Sequence, residues 1–384
     1  MIWLAIPAIA AAAYYCLASV AAARWRPFRT VPLSPAREHP LPPVSILKPV
    51  HGRDPRFYEA ILSHARQVYP EFEILFGVST QDDPALQDIV RLQAEFPQLR
   101  IEIVVVATRA PNAKVGVLAE LARRARHPVL LVNDSDILVE PGYLRAVTEA
   151  LDDPGVGLVT CLYRATAESW ASRSEALGIA TEFAPSVLVA RLLGVAEFAL
   201  GSTMVFRAET LERIGGFAAI ANYLADDYQL GCRITQLGYR IVFAPVVVET
   251  DLGGETWGQV WRHQLRWSRT IRVSRSSGYY GYVVTHATLW GLVALAAHQW
   301  EAGAVALGMR ILAGVWVGAG ILGDRQVLRD GWMIPLRDLF GFAVWVAGIF
   351  GDTVQWRDQR LKLHTDGQIL TEWKTAEEKT NALR

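Results

Sequence analysis

The chain has 384 residues, with 38 Lys plus Arg against 38 Asp plus Glu, so no polycationic surplus points to nucleic acid as a partner. Cys16, Cys161 and Cys232 lie far apart without ligand-like neighbours, which argues against a disulfide framework or a CxxC zinc site and leaves them as small apolar fillers. A hydrophobic content of 52% and 13 tryptophans are high for a soluble enzyme.

The distribution of these residues along the chain explains the excess. Residues 2–23 are nearly uncharged, long enough at about 1.5 Å per residue to cross a hydrocarbon layer of about 30 Å, and followed by Arg24, Arg26 and Arg29. A signal peptide carries its basic residues before the apolar run, so residues 1–24 read as a retained membrane anchor whose C-terminal end faces the cytoplasm. Pro32, Pro35, Pro40, Pro42 and Pro43 mark residues 25–43 as a linker.

Residues 44–256 read as a cytoplasmic domain. The stretches 44–47, 73–78, 101–106 and 129–132 are short, apolar and β-branched, and helices such as 56–68 and 85–96 fit between them. This alternation predicts an α/β, Rossmann-like, mostly parallel sheet covered on both faces. Neither a GxGxxG nor a GxxxxGKS motif is present, so nucleotide binding must come from other residues.

The expected strand ends carry Lys48, then Asp82 and Asp83, then Asn112 and Lys114, then Asp134 and Asp136, and an open sheet gathers such ends on one edge. Lysine meets phosphate as a point charge; aspartate accepts hydrogen bonds from ribose, base N–H groups or metal-bound water. Asp82 or Asp83 also suits a cap on the helix beginning near Pro84. Asp134 and Asp136, directly after Val-Leu-Leu-Val-Asn, suit a hard divalent ion shared with a diphosphate, and no histidine cluster proposes zinc. Residues 157–162 read as another strand, residues 168–193 as helix docking on the domain or on a membrane surface, and 201–206 as a strand whose small residues admit a ligand. Ala225-Asp226-Asp227-Tyr228 opens a helix running through Leu237, where a plain N-terminal cap and a functional role both stand.

Residues 257–278 form an expected amphipathic helix at the membrane interface. Arg262, Arg266 and Arg269 recur at i, i+4 and i+7 beside Val260, Trp261, Leu265 and Trp267. Phospholipid binding explains these cations alone; a diphosphate leaving group explains them together with the acidic motifs. Residues 279–356 read as a C-terminal membrane region. Within it, 279–298 and 302–322 suit a hairpin returning to the cytoplasm ahead of Asp324, Arg325 and Arg329. Residues 339–350 either cross or lie re-entrant, the second being favoured because a crossing would put Arg357, Arg360 and Lys362 outside. Residues 357–384 read as a polar tail.

Lys48-Pro49-Val50-His51-Gly52, Gln81-Asp82-Asp83-Pro84, Asn112-Ala113-Lys114-Val115, Asp134-Ser135-Asp136, Ala225-Asp226-Asp227-Tyr228 and Arg266-Trp267 together resemble the membrane-bound ceramide glucosyltransferases and hopanoid-associated glycosyltransferases. The resemblance covers roughly residues 44–275. It implies a GT-A nucleotide-sugar domain in a bacterial inner-membrane protein, using Mg2+ or Mn2+ to move sugar from a UDP-sugar to a membrane-lipid hydroxyl with inversion. By resemblance, Asp82 and Asp83, with Lys48, Pro49 and Lys114, serve the nucleotide side. Asp134 and Asp136 hold the ion, and Asp227 is the base with Asp226 beside it. Arg266 and Trp267 meet the diphosphate, and His263 occupies a position where the family usually carries Gln or Arg. The stretches 157–164 and 263–272 look more like the hopanoid-associated branch, implying N-acetylglucosamine transfer to a hydroxylated hopanoid, with glucose transfer from UDP-glucose to ceramide as the alternative. No obligate protein partner is implied. An inactive nucleotide-sugar sensor and a transporter are the other classes, the second requiring polar residues within the apolar segments.

Overall fold

Seven strands build the central sheet: β1 Val44–Pro49, β2 Phe72–Val78, β3 Ile101–Val105, β4 Val129–Val132, β5 Val156–Thr166, β6 Met204–Arg207 and β7 Arg240–Asp251. They belong to a computed structural model that describes residues 2–28, 40–356 and 359–370. The strand order is β3-β2-β1-β4-β6-β5-β7, with every neighbouring pair parallel except those made by β6. The mostly parallel α/β class expected from the alternating strands and helices is therefore the one found.

Side chains alternate across a strand, and here both faces are covered. Val44, Ile46, Ile74, Phe76, Val129 and Leu131 pack beneath Phe57, Ile61 and Ile89, while Leu47, Leu75, Leu130 and Val132 pack beneath Val115, Leu118 and Leu121. Burial on both sides is why these strands read as continuous apolar runs. The reversed strand β6 sets the geometry of the functional edge. Its first residue, Met204, pairs with Val132, the last of β4, so residues 201–203 lie beside Asn133 to Asp136.

Three helices are long and apolar enough to cross a membrane: Trp3–Arg24, Trp300–Ile321 and Gln326–Ile349. The stretch 279–298, expected as one continuous leg, is divided into a short helix Ser276–Gly281, a 3-10 turn Tyr282–Thr285 and the helix Ala287–Ala296. The following helix returns to the sheet domain, where Arg164 of β5 donates to the Leu322 carbonyl at 3.1 Å. Residues 339–349 belong to the run Gln326–Ile349, which has enough length for a crossing, and both its ends are tied to other helices. Near its start Asp330 accepts from Arg173 Nε at 2.9 Å, and at its end Arg272 donates to the Ile349 carbonyl. Between them Phe340 packs on Trp257 and Trp261, with ring centroids 5.8 and 5.7 Å apart.

The apolar segments are not free of charge. Arg310 is fully buried and donates to both oxygens of Asp338, at 2.9 and 2.7 Å, and to the Thr181 carbonyl at 3.0 Å. The sequence placed the acidic constellation outside these segments; an ion pair between two helices far apart in sequence leaves no local pattern to read. These groups are enclosed and mutually paired, as a packed structural core requires.

The expected polar tail is folded over part of its length, together with the last residues of the 279–356 region expected in the membrane. Thr353–Trp356 (β8), Gln359–Leu363 (β9) and Ile369–Leu370 (β10) form an antiparallel sheet in which Val354, Leu361, Leu363 and Ile369 bury against Leu224. Arg360 and Lys362 alternate with Leu361 and Leu363, a period-2 pattern of a half-buried strand. Ile369 N–H donates to the Asn222 carbonyl at 2.7 Å, tying the tail to the loop that precedes Asp226. Residues 29–39 of the expected linker, with Pro32 and Pro35, and residues 371–384 of the tail lie outside the described residues.

Candidate active site

Two of the three expected acidic motifs, those of Asp134 and of Asp226-Asp227, meet around Gly201. A Cβ placed there would lie 3.5 Å from Asp134 Oδ2, 3.5 Å from Asp227 Oδ2 and 3.7 Å from Lys114 Nζ, so the absent side chain leaves an approach bordered by three charged groups. Asp227 is fixed by backbone donors: Gly201 N–H to Oδ2 at 3.0 Å and Tyr228 N–H to Oδ1 at 2.7 Å. Its helix, Asp226–Gln236, is seated by Gly231, where a Cβ would stand 2.9 Å from the Glu197 carbonyl oxygen. Lys114 Nζ bridges Asp134 Oδ1 at 2.8 Å and Asp226 Oδ2 at 3.2 Å. Lys114 is placed by the helix Ala113–Arg124, whose first turn is capped when Val115 N–H donates to Asn112 Oδ1 at 3.2 Å.

The electrostatics follow from crowding half-buried carboxylates at one sheet edge. Burial, then the charge of Asp226, pushes the Asp227 carboxyl up to about 6, with Lys114 opposing the rise. Burial, then the charge of Asp134, likewise pushes Asp136 up to about 6, although Thr250 donates to it. Lys114 moves the other way: its own burial favours the neutral amine, but the charges of Asp134 and Asp226 outweigh that and hold its ammonium form well above the ordinary lysine range. An excess of negative oxygen at Asp134 and Asp136 fits a hard divalent cation, so the residues present suit the ion the acidic spacing suggested.

Other expected residues take different stations. Lys48, read as a phosphate contact, is fully buried in β1 and donates to the Asp134 carbonyl at 3.0 Å, so it braces the loop from beneath. Burial lowers its ammonium pKa to about 7 against the opposing pull of Asp136 and Asp134. Pro49 ends the same strand. Asp82 is exposed, whereas Asp83 is buried and accepts from Gly52 N–H and Ala85 N–H, both at 2.9 Å. Asp83 thus clasps the loops after β1 and β2, close to the capping role its sequence allowed. His263 points to Glu175, with Nδ1 and Oε1 2.7 Å apart, and its ring lies 4.5 Å from that of Trp267. Trp267 continues an aromatic run through Phe183, at 6.3 Å, to Tyr163 of β5, at 5.5 Å from Phe183. Arg266, half-buried, precedes Trp267 on the helix Trp257–Ser274.

One organising residue escaped the sequence reading. Asn133 is fully buried, its Oδ1 3.1 Å from His64 Nε2, and its Nδ2 donates to the Ser202 carbonyl at 2.7 Å and Tyr143 OH at 3.0 Å. It joins the end of β4 to the residues that lead into β6, next in sequence to Gly201. A buried Asn between an apolar run and Asp134 was its available signal. Asn133→Ala should cost about 1–3 kcal/mol, read as lowered thermal stability, because His64 and the Ser202 carbonyl lose their partner inside the domain.

Among the described residues, a group with metal-ligand spacing also occurs at Glu175, Glu255 and His263.

The architecture and its charged sheet edge define a GT-A-like glycosyltransferase fold. The chain belongs to Glycosyl transferase family 21, whose profile matches residues 2–369. It is 28% identical over 203 residues to "Ceramide glucosyltransferase 1" of Caenorhabditis elegans, covering 52% of this chain and 43% of that one. It is 26% identical over 237 residues to "Probable glycosyltransferase YdaM" of Bacillus subtilis (strain 168), covering 60% and 55%. The chain thus spans about half the length of these curated relatives. The mannosyltransferase PcManGT from Pyrobaculum calidifontis, solved in complex with GDP-Man and Mn2+, shares the fold with a TM-score of 0.54 at 20% identity, over 90% of this chain and 99% of that one.

Proposed function

We propose that the protein is an inverting transferase that moves the sugar of a UDP-sugar to the hydroxyl of a membrane lipid. The observation that carries this reading is Asp227, held by two backbone N–H groups at the open edge beside Asp134 and Lys114. Its raised proton affinity suits a group that accepts the acceptor's hydroxyl proton as oxygen attacks the anomeric carbon from the face opposite the leaving nucleotide. Lys114 holds Asp134 and Asp226 in register, and Lys48 fixes the Asp134 backbone from below. Asp134 and Asp136 would hold a divalent ion, which supplies Lewis-acid stabilisation of the diphosphate's charge. Arg266 and Trp267 serve the leaving-group side, while His263 acts through Glu175 and Trp267 instead of facing the diphosphate.

Three helices of spanning length support a lipid acceptor and a catalytic domain at the cytoplasmic membrane face. The match to a ceramide glucosyltransferase favours UDP-glucose and a ceramide-type acceptor over the N-acetylglucosamine and hopanoid pair expected from local motifs. Mass spectrometry of lipids after competition among ceramide, hopanoid, UDP-glucose and UDP-N-acetylglucosamine tests both preferences. A β-linked glucosylceramide is the expected product, and no glycolipid from any pairing would overturn the reading.

The acid limb of kcat/KM should also carry a signature. Asp227 and Asp136 both lie near 6, and each must lose its proton to work, so kcat/KM falls as pH drops below about 6. The limb's logarithmic slope should approach two in limiting Mn2+ and one in saturating Mn2+. Lys114→Met removes the cation that lowers Asp227, so the limb should move to higher pH.

A further inference from the structure

Glu175, Glu255 and His263 come from three places: the helix Trp170–Gly178, the loop after β7, and the helix Trp257–Ser274. One ligating atom from each lies within 4.8 Å of the others. An ion with bonds of about 2.0–2.2 Å bridges such atoms after a small inward movement. A second observation points to an occupant. Glu175 is 1% exposed; its Oε1 meets His263 Nδ1 at 2.7 Å and accepts from Gln264 Nε2 at 2.9 Å, while its Oε2 is buried with no hydrogen-bond partner among the described residues. Glu255 Oε2 is enclosed in the same condition. Carboxylate oxygens held away from water without donors are costly unless a cation completes them. Arg337, whose charge reaches Glu175, directs Nη2 to Gln264 Oε1 at 3.2 Å and to Glu182 Oε2 at 3.4 Å.

We propose that Glu175, Glu255 and His263 form a second divalent-cation site, separate from Asp134 and Asp136 and selective for a borderline ion such as Zn2+ over Mg2+. One imidazole nitrogen with two carboxylate oxygens matches zinc's mixed-ligand preference, whereas Mg2+ demands octahedral oxygen and retains its water. The ion fastens the start of the aromatic helix to the helix carrying Glu175. That contact holds Trp267 against Phe183 from one turn away, which makes His263 a positioning residue.

The inference does not depend on sugar transfer, and its test contains no donor. Full-length protein in lipid nanodiscs, carrying Asp134→Asn and Asp136→Asn, is titrated with Zn2+ alone by calorimetry, with bound metal counted by elemental mass spectrometry. One Zn2+ per chain is expected in that background, together with a rise in melting temperature. Adding His263→Ala or Glu255→Gln should weaken binding by at least about 100-fold and remove the rise. Glu255→Gln is nearly isosteric and serves if His263→Ala does not fold. Absence of a saturable site, a site unaffected by these substitutions, or tighter binding of Mg2+ than of Zn2+ would each overturn the proposal.

Discussion

Asp227→Asn should lower turnover by about 10²–10⁴-fold while UDP affinity stays within a few-fold, measured by initial rates and by calorimetry. The substitution is nearly isosteric, so the acceptor site keeps its shape. One backbone bond survives at the amide oxygen; the amide NH2 meets the other N–H donor, a modest loss of stability and not of fold. What disappears is the carboxylate proposed to take the acceptor's proton. Asp226→Asn provides the contrast. Its charge raises the proton affinity of Asp227, so neutralising it should shift the acid limb of kcat/KM to lower pH with turnover retained at neutral pH. Full activity in Asp227→Asn would remove it from the reaction.

Arg310→Leu should destabilise the protein by about 3–5 kcal/mol, seen as a large drop in melting temperature in nanodiscs. The guanidinium is fully enclosed and makes two bonds to Asp338 plus one to the Thr181 carbonyl. Removing it strands Asp338 with the Thr288 hydroxyl as its remaining side-chain donor among the described residues. The penalty therefore comes chiefly from the uncompensated carboxylate and less from lost attraction. Arg310→Leu combined with Asp338→Leu should recover much of the loss, since an apolar pair of similar volume needs no partner. Equal instability in the single and double variants would show that packing, and not the ion pair, sets the effect.

What the sequence displayed was governed by how local each physical cause is. β1, β2 and β4 are buried on both faces, so their apolar runs were visible without any partner, and their ends marked the edge where Asp134 and Asp136 stand. Asp227 stood out as charge at a helix start and Lys114 as charge at an expected strand end, but their meeting at Gly201 required the reversed strand β6, a topological event with no short-range signature. Lys48 shows the limit from the other side: its residue type suggested phosphate, yet depth in the sheet decided its partner. The link from His263 to Glu175 spans elements far apart in the chain, whereas the tail's strand carried a local signal, Arg360 and Lys362 alternating with Leu361 and Leu363, that its overall polarity outweighed.

The strand Ile369–Leu370 completes the support of the loop at Asn222 to Leu224, immediately before the two acidic residues of the helix start. During synthesis that loop emerges well before its support, with the whole apolar hairpin still to be made in between. The loop ahead of Asp226 therefore gains this backbone bond and the packing of Leu224 only after residues 369–370 have been made.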